Sequence, residues 1–249
     1  MENNKLTKKE KKELRKLEWQ EKAKIDERNA KIKKYSIWGS AILVILATIF
    51  GLIQIVNSPT TGNQTVAVAP VSSRDITNKV SKAKVTLIEY SDFQCPACAG
   101  THPWINQLLA DYPNKILFVY RMFPLTNIHP NSHISAQAAY AALKQGKFFE
   151  MGDLLFGNQK DWAEQTDPSG IFTDYAKQLN LNVGKFQAEM NSDEAKNYVN
   201  DSEKQAISEG MNATPTFILN GVKLTNPGSY DEFKKIVGDE LLKNESKTK

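Results

Sequence analysis

Cys95 and Cys98 are the only thiols in this 249-residue chain, and two residues separate them in the tetrapeptide Cys95-Pro96-Ala97-Cys98. Such a pair at the opening of a helix suits redox exchange, because unpaired backbone N–H groups and the positive end of the helix dipole stabilise a thiolate. On this reading Cys95 is the exposed attacking sulfur. Cys98, one turn into the helix, resolves a mixed disulfide by attacking the sulfur of Cys95. A purely structural disulfide would close too small a loop to remove much chain entropy. A structural zinc site needs four ligands, and beyond the pair only His102 stands near. A c-type haem needs histidine directly after the second cysteine, where Ala99 stands. A copper-binding module built from Cys95, Cys98 and a histidine stays open as a rival from another class.

The elements that must position this pair are readable around it. Val85-Thr86-Leu87-Ile88-Glu89-Tyr90 is a β-branched, mostly apolar run that suits a buried strand. The helix of residues 95–110 takes Pro96 at its first position, where a missing N–H costs nothing, and is interrupted at Pro103. Residues 115–122 form a second apolar strand, so strand, helix and strand predict a parallel pair with a right-handed crossover. The stretch 131–211 carries helical patterns and no convincing strand, and it reads as an insertion. Thr216–Leu219, the Asn220-Gly221 turn and Val222–Leu224 predict a hairpin. An amphipathic helix over 230–243 closes the domain. Of the other residues near these elements, His129 and His133 read as polar surface or capping residues, and Phe93, Trp104 and Phe217 as core or groove aromatics.

The formal net charge of +4 comes from 32 basic and 28 acidic residues, but it is unevenly spread. Residues 1–34 hold 13 basic against 7 acidic side chains, so the remainder is slightly acidic and nucleic-acid binding by the main body has no support. No charged side chain lies between Lys34 and Arg74, and Ile37–Val56 (IWGSAILVILATIFGLIQIV) is long enough to span roughly 30 Å as a helix. Lys31, Lys33 and Lys34 precede the run and nothing basic follows it closely, which predicts a cytoplasmic N-terminus. A cleaved signal peptide competes, but Ala67-Val68-Ala69 lies well past the apolar run and Pro70 follows the would-be cut. The expected organisation is a basic cytoplasmic tail at 1–35, a transmembrane helix at 36–56 and a polar tether at 57–74. A folded domain at 75–245, carrying an insertion over about 130–211, then lies on the extracytoplasmic side of the cell membrane.

The segment Glu89-Tyr90-Ser91-Asp92-Phe93-Gln94-Cys95-Pro96-Ala97-Cys98, joined to Ala213-Thr214-Pro215-Thr216-Phe217, resembles the thioredoxin-fold thiol-disulfide oxidoreductases of the DsbA family. Over residues 75–243 it is especially similar to the membrane-tethered bacterial members. The resemblance implies an α/β thioredoxin-like fold with a helical insertion, here preceded by a single transmembrane helix. It implies an enzyme with no organic cofactor and no metal, acting on exported proteins through their thiols or disulfides. A membrane redox partner would reoxidise, or reduce, the cysteine pair, and the bilayer would hold the anchor. Thr214-Pro215 matches the family's cis-proline loop. With Pro96 and Ala97 it makes the expected substrate-binding set. Glu89 matches the buried acid near the second cysteine, where a carboxyl with a pKa raised by burial relays a proton for Cys98. Ala97 departs from the strongest oxidants of the family, which carry histidine there, so a less oxidising pair is expected. The same fold run as an extracytoplasmic reductase or isomerase is the nearest alternative to an oxidase.

Overall fold

The computed structural model describes residues 64–247, together with Trp19, Lys22, Arg28 and Thr48. The expected tail, the expected transmembrane helix and the first residues of the tether fall outside the described residues, those four positions apart. No helix among the described residues is long and apolar enough to cross a membrane.

The described domain is built on one six-stranded sheet. Its strands are β1 (Gln64–Thr65), β2 (Ile76–Thr77), β3 (Val85–Ser91), β4 (Ile116–Met122), β5 (Thr216–Leu219) and β6 (Val222–Lys223), in the spatial order β1-β6-β5-β3-β4-β2. Strands β3 and β4 are parallel, with Glu89 beside Tyr120 and Tyr90 beside Arg121. All other pairings are antiparallel. The parallel pair needs a crossover, and helix α1 (Pro96–Asp111) supplies it with Pro96 at its start and Pro103 inside it. Because β3 and β4 are covered on both faces, every residue of each but one is buried, and the alternating polar face of a half-exposed strand is missing.

Between β4 and β5 the chain makes only helices: α2 (Ser132–Leu143), α3 (Phe148–Gly157), α4 (Gln159–Trp162), α5 (Ser169–Gln178), α6 (Val183–Met190) and α7 (Asp193–Ser208). Helix α2 is the centre of this insertion. Its buried Ala136, Ala138, Ala139, Ala141 and Ala142 are small enough for neighbouring helices to approach closely. Helices α6 and α7 start where the Asn182 and Ser192 side chains accept backbone N–H groups of Lys185 and Ala195.

The hairpin forms as its sequence predicts. Asn220 and Gly221 have φ of 50° and 81°, the left-handed pair that a two-residue turn between right-twisted strands requires. Helix α8 (Tyr230–Lys247) packs Phe233, Val237 and Leu241 into the core, with the Phe233 ring 4.9 Å from that of Phe217.

Residues 64–74, drawn in the sequence as the end of a polar tether, run along the domain. β1 pairs with β6, and Val66 and Val68 pack on a small core of Ile88, Tyr90, Val119, Phe123 and Ile218. Arg121 fastens this strap: its Nη2 donates to the Ala69 carbonyl at 2.8 Å and its Nε to Asp75 at 2.8 Å.

Candidate active site

Cys95 is the N-cap of α1, with extended backbone, and Cys98 lies in the first turn. Residues 92–95 immediately before the helix are held rigidly by side chains from elsewhere. The buried Asp92 carboxylate accepts the backbone N–H groups of Gln94 at 2.8 Å and Leu125 at 2.9 Å, and His129 Nδ1 lies 2.7 Å from it. Gln159 Nε2 donates to the carbonyls of Phe93 at 2.7 Å and Cys95 at 3.1 Å. Gln94 accepts the Asn131 N–H and donates to the Ala163 carbonyl at 2.7 Å. The start of α1 is therefore tied to the insertion through Gln159, Asn131 and Ala163.

The two sulfurs sit in different surroundings. Cys98 is fully buried, and its thiol is pushed well above the ordinary range, first by burial, then by its hydrogen bond with Cys95 and the negative charge of Glu89. Cys95 is held down to about 5, chiefly by the hydrogen bond from Cys98. The Thr214 hydroxyl, which has no other partner among the described residues, and the backbone N–H groups of Cys98 and Ala97 lower it further. Sequence reasoning placed Cys95 in the open. It is only 6% exposed, because the loop before β5 covers it, with the Thr214 carbonyl oxygen 3.4 Å from its Sγ. Pro96 and Ala97 are the exposed residues of the tetrapeptide.

Thr214-Pro215 is cis and stands against Cys95, as the expected loop. Glu89 is buried on β3, and its pKa is raised to about 7, mainly by burial, with the Cys95 charge adding a little and Ser91 and His102 opposing. The same Glu89 charge raises Cys98, so the carboxyl and the second thiol feel one another. All the residues expected at the site, Cys95, Cys98, Glu89, Pro96, Ala97, Thr214 and Pro215, are thus in or beside the α1 start and the loop before β5.

Several residues of the site were not legible as such in the sequence. His129 is not a surface or capping residue; it is a mostly buried partner of Asp92. His133, within α2, is bound between Gln137 and Asn200. His102, weighed as a third metal ligand, presents Nε2 to Asp153 Oδ1 at 2.7 Å. Among the described residues no group of three or more His, Cys, Asp or Glu side chains is placed to hold a metal ion. Phe93 and Phe217 are core, and Trp104 packs partly buried against it.

A thiol pair at a helix start, a cis-proline loop against the first thiol and a helical insertion in a mixed sheet define the class: a thioredoxin fold with a two-cysteine site. Residues 79–239 match the thioredoxin family, and the chain belongs to that family. Its fold is that of the DsbA-like thiol-disulfide oxidoreductases. It is similar to oxidised BdbD from Bacillus subtilis, with a TM-score of 0.63 and 22% identity over 72% of this chain and 99% of that one. Wolbachia pipientis alpha-DsbA1 matches with a TM-score of 0.63 and 22% identity over 72% of this chain and 96% of that one. In sequence the chain is 34% identical over 164 residues to Na(+)/H(+) antiporter NhaA 3 of Salinispora tropica, a match covering 66% of this chain and 24% of that protein. The chain thus spans about a quarter of the length of the curated relatives it matches.

Proposed function

We propose that this protein is a membrane-anchored, extracytoplasmic thiol-disulfide oxidoreductase that introduces disulfides into exported proteins. The observation that carries the reading is the unequal pair: Cys95 is held as a thiolate at about 5, while Cys98 is held as a thiol. A pair whose dithiol form is stabilised in this way gives up its disulfide readily, which favours a donor over a reductase. The membrane anchor and the outward orientation rest on the apolar run 37–56 and the lysines before it.

In the cycle, a substrate thiolate attacks Cys95 Sγ, the Cys95–Cys98 bond breaks, and Cys98 leaves as a thiolate that takes one proton. A second substrate thiolate then attacks the substrate sulfur, and Cys95 leaves as a stable thiolate. Two electrons have entered the enzyme, one disulfide has formed in the substrate, and a membrane redox partner must remove the electrons again. Glu89 supplies the proton to Cys98, and its value of about 7 lets it both give and take one near neutral pH. Thr214, Pro215, Pro96 and Ala97 form the surface on which substrate backbone lies beside Cys95. Sodium/proton antiport, the activity in the name of the curated relatives, is not carried over from a quarter of their length.

Equilibration against glutathione, read by thiol alkylation and mass, tests the direction. A potential more oxidising than about −180 mV supports a disulfide donor, and one near about −270 mV supports the reductase reading instead.

A further inference from the structure

The turn that carries β3 into α1 holds a carboxylate–imidazole pair that lies against both cysteines and outside the set of residues expected at the site. Asp92 stands three residues before Cys95, and its side chain is 0% exposed. Its backbone meets both thiols. The Asp92 carbonyl accepts the Cys95 N–H at 3.1 Å, and the Asp92 N–H is directed at the Cys98 sulfur, where it opposes the burial that pushes this thiol up. The carboxylate faces the loop after β4: one oxygen accepts the Gln94 N–H, and the other meets both the Leu125 N–H at 2.9 Å and His129 Nδ1 at 2.7 Å. Two backbone N–H groups already donate to Asp92, the acceptor pattern of an ionised carboxylate, so the hydrogen of the pair sits on His129 Nδ1. The His129 side chain is 16% exposed, and the contact is largely shielded from water.

We propose that His129, by donating to Asp92, tunes the redox balance of the cysteine pair: the Asp92 charge disfavours the reduced form, and the His129 hydrogen bond offsets that charge. The proposal rests on the reading of Cys95 and Cys98 as a dithiol–disulfide centre. Both residues are positioning residues, acting on sulfur through the charge and the backbone of Asp92.

The charge balance gives the sign. A substrate dithiol reduces the Cys95–Cys98 disulfide by breaking that S–S bond and forming one of its own. Of the two protons its thiols release, one goes to Cys98 and the other to solvent, and Cys95 remains a thiolate. The reduced centre therefore carries one more negative charge than the oxidised one. A fixed carboxylate three residues away makes that charge more costly, and burial strengthens the effect. The Asp92 charge reaches across the site: the Tyr120 hydroxyl is raised by burial, then by Glu89 and Cys98, and further by Asp92. A hydrogen bond from His129 spreads the carboxylate charge away from the sulfurs. Because Leu125 and His129 belong to one loop, the same contacts hold the turn so that the Asp92 N–H stays aimed at Cys98.

The test equilibrates the full-length protein with reduced and oxidised glutathione at about pH 7, with the oxidised fraction read by alkylation and mass. His129→Ala should make the pair about tenfold less oxidising, or about 30 mV, and Asp92→Asn about tenfold more oxidising. His129→Asn, whose amide donates from near the Nδ1 position, should stay within about twofold of wild type. In the Asp92→Asn background His129→Ala should have no further effect, because the charge it offsets is gone. A merely structural role weakens oxidised and reduced forms alike and leaves the equilibrium in place. Variants that all lie within about twofold of wild type therefore overturn the proposal. So does a shift of His129→Ala and Asp92→Asn in the same direction, or a shift of His129→Asn as large as that of His129→Ala. Should Asp92→Asn fail to fold, the comparison of His129→Ala with His129→Asn decides. The two readings fail separately: a wild-type pair that does not exchange with glutathione defeats the redox centre, and the tuning with it, whereas an exchanging wild type with unmoved variants defeats the tuning alone.

Discussion

The two faces of the β3–β4 pair treat buried charge in opposite ways. Glu89 and Tyr120, side by side in register, face the cysteines; one step along each strand, Tyr90 and Arg121 face the other way. On that second face Arg121 Nε reaches Asp75 at 2.8 Å, Nη1 reaches the Tyr90 hydroxyl at 2.7 Å and Glu209 at 3.4 Å, and the Tyr90 hydroxyl donates to Glu209. Both carboxylates there share the one guanidinium, with the Arg121 side chain only 5% exposed. On the first face Glu89 has no cationic side chain of Lys or Arg among its perturbing neighbours, and its pKa rises to about 7. A paired carboxylate holds structure, whereas the unpaired buried Glu89 titrates near neutrality. Alternation along two strands puts a clamp on one side of the sheet and a carboxyl of raised pKa on the other.

Breaking the paired face should give the largest effect. Arg121→Met leaves Asp75 and Glu209 buried without their cation, which should cost about 3–5 kcal/mol and lower Tm by roughly 10 °C, measured by thermal unfolding. The Cys95 thiolate should still form at its low pH, since Arg121 faces away from it; a large shift in Cys95 would contradict the division between the faces.

Neutralising the unpaired face should act in the opposite sense. The Glu89 pKa is raised in the folded protein, so the folded state is relatively favoured at low pH and loses stability as pH rises from the unfolded value of 4.5 through about 7. Glu89→Gln removes that penalty. At pH 8 the variant should be more stable than wild type by up to about 3 kcal/mol, and the difference should vanish below pH 4.5. Denaturant unfolding across that range checks it, and a variant less stable at pH 8 would show that Glu89 is paired after all.

A smaller effect belongs to the link between the insertion and the start of α1. Gln159→Ala removes two hydrogen bonds, to the Phe93 and Cys95 carbonyls, and should cost about 1–2 kcal/mol. Proteolysis or hydrogen exchange should localise the loosening to residues 92–98; uniform loosening of the whole domain would count against a local tie.

What was legible in the sequence was local. Pro96 after Cys95 marks a helix start, Asn220-Gly221 marks a hairpin, and the run 85–90 marks a strand, each by chemistry confined to a few neighbouring residues. Alternation alone left the direction of Glu89 open; the answer came from β3 being covered on both faces. The strap at 64–77 was read as tether and lead-in because two-residue strands carry no periodicity. Arg121 and Glu209 are 88 residues apart, and His102 and Asp153 are 51 apart, so neither pairing leaves a mark on the local sequence. His129 failed for the same reason: its partner Asp92 lies 37 residues earlier, on the far side of a helix and a strand.

The most direct test of the unequal cysteine pair is the pH dependence of alkylation of the reduced protein, with the modified residue identified by mass. Modification of Cys95 should rise with a midpoint at about 5, while Cys98 stays unreactive through neutral pH. A single midpoint near the ordinary thiol value of about 8.5 for both residues would contradict the account.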